Sequence, residues 1–314
     1  METRQIGDSE FRDDVIVPFR TEASGISGRL VRLGPAVDDI LKRHNYELPA
    51  VAEVLGEAVA LTALLGSALK FNGKLILQTR SEGPLGFFVT NYQVPGKLRG
   101  YASYYADRVP EGTAPPTDHG TLLGEGHLAL TIDPGADMDR YQGIVSLDAT
   151  PLSDAALTYF RQSEQLPTFI KLAVARHQGA DDTEWHWRAA GLMVQHVSPE
   201  GGKPPPEDAP SDFLIGDDDD DWQRVSVLAA TVEDHELLDP TLTPERLLYR
   251  LFHEEGVRVM EDQPLEAFCQ CSDERVRGLM KTFSREQIDD MRDENGDVVV
   301  TCEFCKRTYA VDMA

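Results

Sequence analysis

The chain has 314 residues, of which 41% are hydrophobic, and this size allows one large domain together with a smaller one. Its 30 Lys and Arg residues against 54 Asp and Glu residues give a formal net charge of -24, which repels nucleic-acid backbones and anionic membrane surfaces. We therefore expect neither nucleic acid nor a membrane as a partner. The polar first residues, which lack a signal-peptide pattern, predict a cytoplasmic protein.

The first 199 residues have the pattern of an α+β core domain of mixed sheet and helix. The Ala- and Leu-rich stretch 49–69 predicts a largely buried helix that begins at Pro49. A second helical pattern covers 153–169. Alternation of apolar and polar residues predicts a pair of strands within 13–32 and further strands at 75–80, 86–92, 98–104, 126–133, 143–148 and 185–196.

Residues 200–264 predict an acidic linker that carries amphipathic helices. Its first part, to Asp221, is rich in Pro, Gly and acidic residues, and its consecutive aspartates are more typical of a solvated tether than of a cation site. The segments 224–240 and 243–257 predict two amphipathic helices, the second starting at Thr243. Their apolar faces would contact either the core, the following module or a client protein, through Leu237, Leu247, Leu248, Leu251 and Phe252.

All four cysteines lie in the last 50 residues, 265–314, and predict a single site. They form a Cys-x-Cys pair, Cys269 and Cys271, and a Cys-x-x-Cys pair, Cys302 and Cys305. In a reducing compartment such a cluster indicates a metal site or a redox device. Four thiolates suit one tetrahedral zinc ion and leave no position for a catalytic water. The site is therefore expected to be structural or regulatory, not hydrolytic.

The residues between the two cysteine pairs predict a small fold around the metal. Val276, Leu279, Met280 and Phe283 share one helical face, and Ser284 starts a capping box with Gln287. A turn at 295–296 predicts a β-hairpin that carries the second cysteine pair. Such a small module depends on its metal, which supplies on the order of 10–16 kcal/mol in zinc domains. Oxidation of the thiolates would release zinc and unfold the module, although an inert zinc knuckle has the same spacing.

The whole chain resembles the 33 kDa redox-regulated heat-shock chaperonin family. The resemblance rests on segments such as YFRQSEQLPTFIKLA and GEGHLALTID in the core, LLYRLFHEEGVRV in the linker, and VTCEFCKRTY around the second cysteine pair. The acidic stretch 200–221 and the segment 179–187 depart from the usual family pattern.

The resemblance implies an ATP-independent holdase, monomeric and zinc-bound when reduced and dimeric when oxidised, that binds unfolding client proteins under oxidative and heat stress. It also implies that oxidation forms disulfides between neighbours, Cys269 with Cys271 and Cys302 with Cys305.

Two other interpretations of the sequence remain. A zinc-dependent hydrolase or deaminase is suggested by His253-Glu254-Glu255 upstream of the second cysteine pair, but no Pro precedes Cys302 and two ligands would be surplus. A constitutive zinc-ribbon interaction module is the other alternative. Ser163, Glu164 and Gln165 are interpreted as structural because no nucleophile motif surrounds them, and no enzymatic activity is expected.

Overall fold

The computed structural model describes residues 12–70, 72–109, 119–135, 138–179, 182–196 and 219–311, and its mixed helices and sheets confirm the predicted α+β class. The helices are α1 (Pro35–Lys42), α2 (Pro49–Gly66), α3 (His119–Leu123), α4 (Leu152–Tyr159), α5 (Asp220–Ala230), α6 (Asp234–Leu238), α7 (Pro244–Phe252), α8 (Asp273–Met280) and α9 (Arg285–Asp290). The strands are β1 (Val15–Thr21), β2 (Ser27–Leu33), β3 (Lys74–Ser81), β4 (Phe87–Gln93), β5 (Lys97–Ser103), β6 (Glu125–Asp133), β7 (Tyr141–Asp148), β8 (Thr168–His177), β9 (His186–Gln195), β10 (Val257–Val259), β11 (Gln263–Pro264), β12 (Glu266–Ala267), β13 (Val298–Thr301) and β14 (Thr308–Val311).

These strands form two six-stranded sheets and one hairpin. Sheet A has the order β10-β1-β2-β9-β8, with β11 also paired to β1. Sheet B has the order β12-β5-β4-β3-β6-β7, and β13 pairs with β14. Strand β12 runs parallel to β5. Because β10, β11 and β12 all follow the linker helices in sequence, the segment 257–267 completes both sheets.

Helix α2 lies between the two sheets, and this position explains its uniform apolarity. It packs on β2, β8 and β9 of sheet A and on β3, β4 and β5 of sheet B. The helix is long and apolar enough to cross a membrane, yet 83% of it is buried inside the fold. Its polar Thr62 is satisfied internally, since the hydroxyl donates to the Ala58 carbonyl at 2.6 Å. The sequence prediction of a buried helix from Pro49 is confirmed.

Sheet A is covered on both faces. Residues such as Ile16 and Val31 point to the α2 side and join the main core. Their neighbours Phe19 and Leu192 point to the opposite side and form a second core with α5, α6 and α7. The rings of Phe19 and Phe252 stack there with centroids 5.4 Å apart. The linker helices therefore cover an apolar sheet face in this structure.

The described part of the linker, 219–264, contains three α-helices where the sequence predicted two. The pattern over 224–240 divides into α5 and α6 because Glu233 begins a new helix, with a capping box formed with Glu236. Helix α7 begins after Thr243 as predicted, and the Thr243 side chain accepts a hydrogen bond from the backbone of Arg246. Asp219 caps α5, so the end of the aspartate run belongs to a helix. The predicted tether over 200–218 lies outside the described residues.

In the core, one predicted helix needs correction and one helix was not predicted. The helix predicted over 153–169 ends at Tyr159 and is followed by one wide turn, Phe160–Glu164. The chain then becomes extended, because Pro167 cannot continue a helix and restricts the residue before it. Helix α1 was not predicted; it begins at Pro35 and buries only one side, through Val37 and its neighbours.

Candidate metal centre

The first cysteine pair is held by the edge of sheet B. Strand β12 lies beside β5, and the Phe268 backbone N–H donates to the Leu98 carbonyl at 2.8 Å. Cys269 and Cys271 follow directly. Ser272 then caps α8, because its hydroxyl accepts a hydrogen bond from the backbone of Arg275. The Cys-x-Cys segment is therefore fixed between a sheet edge and a helix start.

The second cysteine pair forms a tight knuckle at the end of the β13–β14 hairpin. The Cys302 N–H donates to the Arg307 carbonyl at 2.9 Å, and the Lys306 N–H donates to the Cys302 carbonyl at 2.8 Å. Lys306 has a φ of 55°, in the left-handed region that closes such a turn. This backbone turn directs both thiols to one side, as the predicted hairpin requires.

The two pairs meet in one compact cluster of sulfur atoms. All four Sγ atoms lie within 4.8 Å of one another, with Cys269 and Cys302 separated by 3.6 Å and Cys271 and Cys305 by 3.2 Å. Four sulfurs around a zinc ion at about 2.3 Å each are separated by about 3.8 Å, so the cluster fits a tetrahedral site. It can hold one metal ion, and the described residues contain no other such group.

The environment makes the thiols chemically unequal. Burial raises the pKa of Cys305 to about 12, with hydrogen bonds among the thiols acting in the same direction. Burial also acts to raise the pKa of Cys271, but hydrogen bonds from Tyr309 and the other thiols outweigh it and lower that pKa to about 7. The Tyr309 hydroxyl donates to Cys271 Sγ at 3.0 Å. The Cys271 thiol therefore ionises more readily than an ordinary cysteine, and the thiolate is the form that binds metals and reacts with oxidants.

The module has only a small apolar core of its own. Its buried side chains come from α8, α9, β13 and β14, namely Val276, Met280, Ile288, Val298, Tyr309 and Val311. Cys271 and Cys302 pack against this group. Leu279, predicted to share the core face of α8, is 55% exposed and does not belong to this core. Such a core is too small to stabilise the module strongly by itself.

The module also contacts the outer face of sheet B. The Arg99 guanidinium lies 4.1 Å from the centre of the Phe304 ring, and the Lys97 ammonium lies 3.9 Å from the centre of the Phe268 ring. The Gln270 side chain donates to that of Gln93. These contacts involve residues directly beside the cysteines, so movement of the cysteine segments would be transmitted to β4 and β5.

The residues of the other sequence interpretations lie elsewhere. His253 contacts Tyr249, with ring centroids 5.4 Å apart, and does not belong to the sulfur cluster. Glu164 accepts a hydrogen bond from the Tyr159 hydroxyl at 2.7 Å and helps to close the wide turn after α4. No motif in the sequence predicts that Tyr309 belongs to the site; the one signal is its position four residues after Cys305, on a predicted strand.

Comparison with known proteins agrees with this fold and site. A family model described as Hsp33 protein matches residues 14–312. The 33 kDa chaperonin of Caulobacter vibrioides is 42% identical over 311 residues, covering 97% of each chain. That of Nitrosococcus oceani is 38% identical over 295 residues, covering 94% of this chain and 90% of the other. The crystal structure of the Thermotoga maritima 33 kDa chaperonin has a TM-score of 0.74 and 20% identity, covering 95% of this chain and 94% of the other, and it supports the fold.

A two-sheet core with a separate four-cysteine module, together with these relatives, defines a heat-shock chaperone. The chain belongs to the Hsp33 family.

Proposed function

We propose that the chain is a redox-regulated holdase that binds unfolding proteins without ATP and is activated when its cysteines form disulfides and release zinc. The observation that carries this proposal is the cluster of four thiols within 4.8 Å, assembled from two segments about thirty residues apart. A bound zinc ion would hold these two segments together as a tetrahedral tetrathiolate. Loss of the thiolates removes that connection.

The proposed ligands are Cys269, Cys271, Cys302 and Cys305, and the proposed disulfides join Cys269 to Cys271 and Cys302 to Cys305. Each disulfide forms when two thiols lose two electrons and two protons to one peroxide molecule, which becomes two water molecules. Small rings of this kind are readily reduced again by thiols, as a reversible switch requires.

The linker connects the switch to client binding. In the thiol form described here, Leu237, Leu247, Leu248, Leu251 and Phe252 are all buried against sheet A. The segment that covers sheet A continues through β10 to β12 and then directly into Cys269. Unfolding of the module would free this segment and expose apolar surface that unfolding proteins can bind.

We assign residues 1–199 to the core domain, 200–264 to the linker and its helices, and 265–314 to the redox switch. On this assignment the reduced protein is a zinc-bound monomer, and the oxidised protein forms a homodimer that exposes the linker. The protein acts in the cytoplasm on partly unfolded clients and has no enzymatic activity.

The first test compares zinc-loaded reduced protein with peroxide-oxidised protein in suppressing aggregation of a chemically unfolded client, followed by light scattering without ATP. We expect suppression only after oxidation and its reversal by a thiol reductant. Equal behaviour of both forms would instead support a constitutive zinc-ribbon interaction module, whose binding does not depend on redox state.

Cys302→Ser tests the site itself. Thr301→Ser, which changes the neighbouring exposed residue, is the control. We expect Cys302→Ser to weaken zinc binding and to abolish the reversible redox cycle, because one of four ligands is lost. Retention of both zinc content and redox response would show that the assignment of the ligands is wrong. Loss of a catalytic activity on zinc removal would support the hydrolase or deaminase alternative.

A further inference from the structure

Two arginines lie in the otherwise apolar face of sheet A that the linker covers. Arg32 belongs to β2 and is 2% exposed, and Arg188 belongs to β9 and is 8% exposed. Arg32 is paired in register with Ala190, two residues from Arg188 on the same face. Leu30, Leu192 and other apolar residues surround them. Buried arginines in such a place require acceptors for their N–H groups.

These arginines bind main-chain carbonyls of the linker. The Arg32 guanidinium donates to the carbonyls of Glu236 and Asp239, each at 2.9 Å, and also to that of Leu242. The Arg188 Nε donates to the Leu238 carbonyl at 2.8 Å. All four acceptors belong to the end of α6 and the following turn. We call Arg32 and Arg188 together the carbonyl fork.

The fork matches the chemistry of a helix C-terminus. The last carbonyls of a helix lack partners within the helix and carry a partial negative charge, which a guanidinium satisfies well. The Asp13 carboxylate accepts a hydrogen bond of 2.7 Å from Nη1 of Arg188 and balances the charge of this arginine. The Nε of Arg188 is therefore available to donate to the linker. Arg32 makes its described hydrogen bonds to carbonyls, and its Nε has no partner among the described residues.

The hydrogen bonds of the fork to the linker do not depend on side-chain identity. Every described hydrogen bond from the fork to the linker goes to the main chain, which is the same in any polypeptide, while the carboxylates of Asp239 and Glu245 add an electrostatic attraction to Arg32. When the linker leaves sheet A, Arg32 and Arg188 lose four hydrogen-bond acceptors beside an apolar surface. Their N–H groups then need other acceptors. An unfolding polypeptide with a turn or helix end, flanked by apolar residues, offers both the acceptors and the apolar contacts.

We propose that the carbonyl fork is a binding site for main-chain carbonyls, which the linker occupies in the form described here and an unfolding client occupies after the linker leaves. The inference rests on the proposed holdase function and adds a class of ligand to it. The linker turn 236–242 is then an internal substitute for the client.

The experiment uses the full-length protein and a fluorescently labelled, permanently unfolded protein, reduced and carboxymethylated, as the probe. Its binding to oxidised wild type and to the double variant Arg32→Met, Arg188→Met is measured by anisotropy. Lys171→Met is the matched control, because Lys171 also contacts the linker but through an ion pair of 2.7 Å with the exposed carboxylate of Asp234. Arg32→Lys keeps the charge of Arg32 but loses the planar arrangement of its donors.

We expect the double variant to bind the probe about tenfold more weakly or worse, since several charge-assisted hydrogen bonds are lost. Lys171→Met should bind like wild type, and Arg32→Lys should lie between the two. Hydrogen exchange of α2 checks that each variant retains its core, and Arg32→Lys carries the test if the double variant does not fold. In the reduced state, exchange over 234–252 should be faster in the double variant.

Equal binding of the probe by oxidised wild type, the double variant and Arg32→Lys would overturn the inference while leaving the holdase function intact. Loss of affinity in Lys171→Met equal to that in the double variant would also overturn it, because the effect would then be one of net charge. Failure of the oxidised wild type to bind any unfolded probe would contradict the proposed function itself.

Discussion

His119 shows how strongly one residue can be perturbed in this fold. Its ring lies between two carboxylates of α2, with Nε2 at 3.3 Å from Glu53 and Nδ1 at 3.1 Å from Glu57. Burial acts to lower the pKa of His119, but the two glutamates outweigh it and raise that pKa to about 10. The charged imidazolium thus connects α3 to the central helix.

The raised pKa makes the stability contributed by His119 depend on pH. The contribution should be fully present below about pH 6.5, the ordinary pKa of an unfolded histidine, and should disappear as the pH rises through about 10. We expect His119→Gln to lower the free energy of unfolding by about 1–3 kcal/mol at pH 6 and to have little effect near pH 10.5. Urea denaturation at both pH values measures this, with the exposed His127→Gln as the control. An equal loss at both pH values would contradict it.

Tyr309 is the second residue with a specific expected effect. Because its hydroxyl donates to Cys271 Sγ, it stabilises the thiolate that a metal requires. We expect Tyr309→Phe to weaken zinc binding by about tenfold, within the range typical of residues that support metal ligands. Competition with a chelator measures the affinity, and Tyr105→Phe, an exposed tyrosine whose ring contacts Arg108, serves as the control. Unchanged affinity in Tyr309→Phe would show that this hydrogen bond is dispensable.

At the scale of elements, α7 contributes several buried apolar side chains to the contact between the linker and sheet A. Its buried side holds Leu247, Leu248, Leu251 and Phe252, while Tyr249 on the other side is 56% exposed. The helix is short, so its stability depends on packing against the sheet more than on its intrinsic propensity. A loss of buried volume on one side should therefore release the whole linker.

Phe252→Ala tests this coupling, and Tyr249→Ala in the same helix is the matched control. Truncation of a fully buried phenylalanine costs about 3–5 kcal/mol, and here the cost falls on the contact between linker and sheet. We expect faster hydrogen exchange over α5 to α7 in reduced Phe252→Ala and partial suppression of client aggregation without an oxidant. If the reduced variant exchanged and behaved like Tyr249→Ala, the linker would not be the element that restrains activity.

At the scale of the whole molecule, the two parts differ in what stabilises them. Among the described residues, the core domain has a large continuous apolar core around α2, whereas the apolar core of the module consists of six buried side chains. A metal ion held by the four cysteines would therefore stabilise the module far more than the core. We therefore expect the cysteine cluster to be able to open without unfolding the core.

Removal of zinc from the reduced protein by a chelator should unfold the module and leave the core domain folded. We expect hydrogen exchange over 269–311 to become fast, while α2 between the sheets stays protected. A sample with chelator and excess zinc is the control. Loss of protection in both parts together would mean that they form a single cooperative unit and would contradict the proposed division of the chain.

The sequence by itself determined the local elements with strong patterns. The uniform apolarity of α2, the helix start at Thr243, the capping box at Ser284 and the hairpin of the second cysteine pair were all predictable from a few neighbouring residues. The four cysteines were identifiable as one site because the chain contains no others. Each of these signals is local in sequence or depends on residue type alone.

Only the tertiary structure decided which surfaces meet. The burial of the linker helices on sheet A, the Tyr309 contact with Cys271 and the carbonyl fork all join residues far apart in the chain. The residue at which α4 ends and the exposure of Leu279 also depend on neighbouring elements of the fold, which the spacing of apolar residues in the sequence does not predict. The physical reason is that an apolar face specifies that it must be covered, but not by which partner; the three-dimensional arrangement supplies the partner.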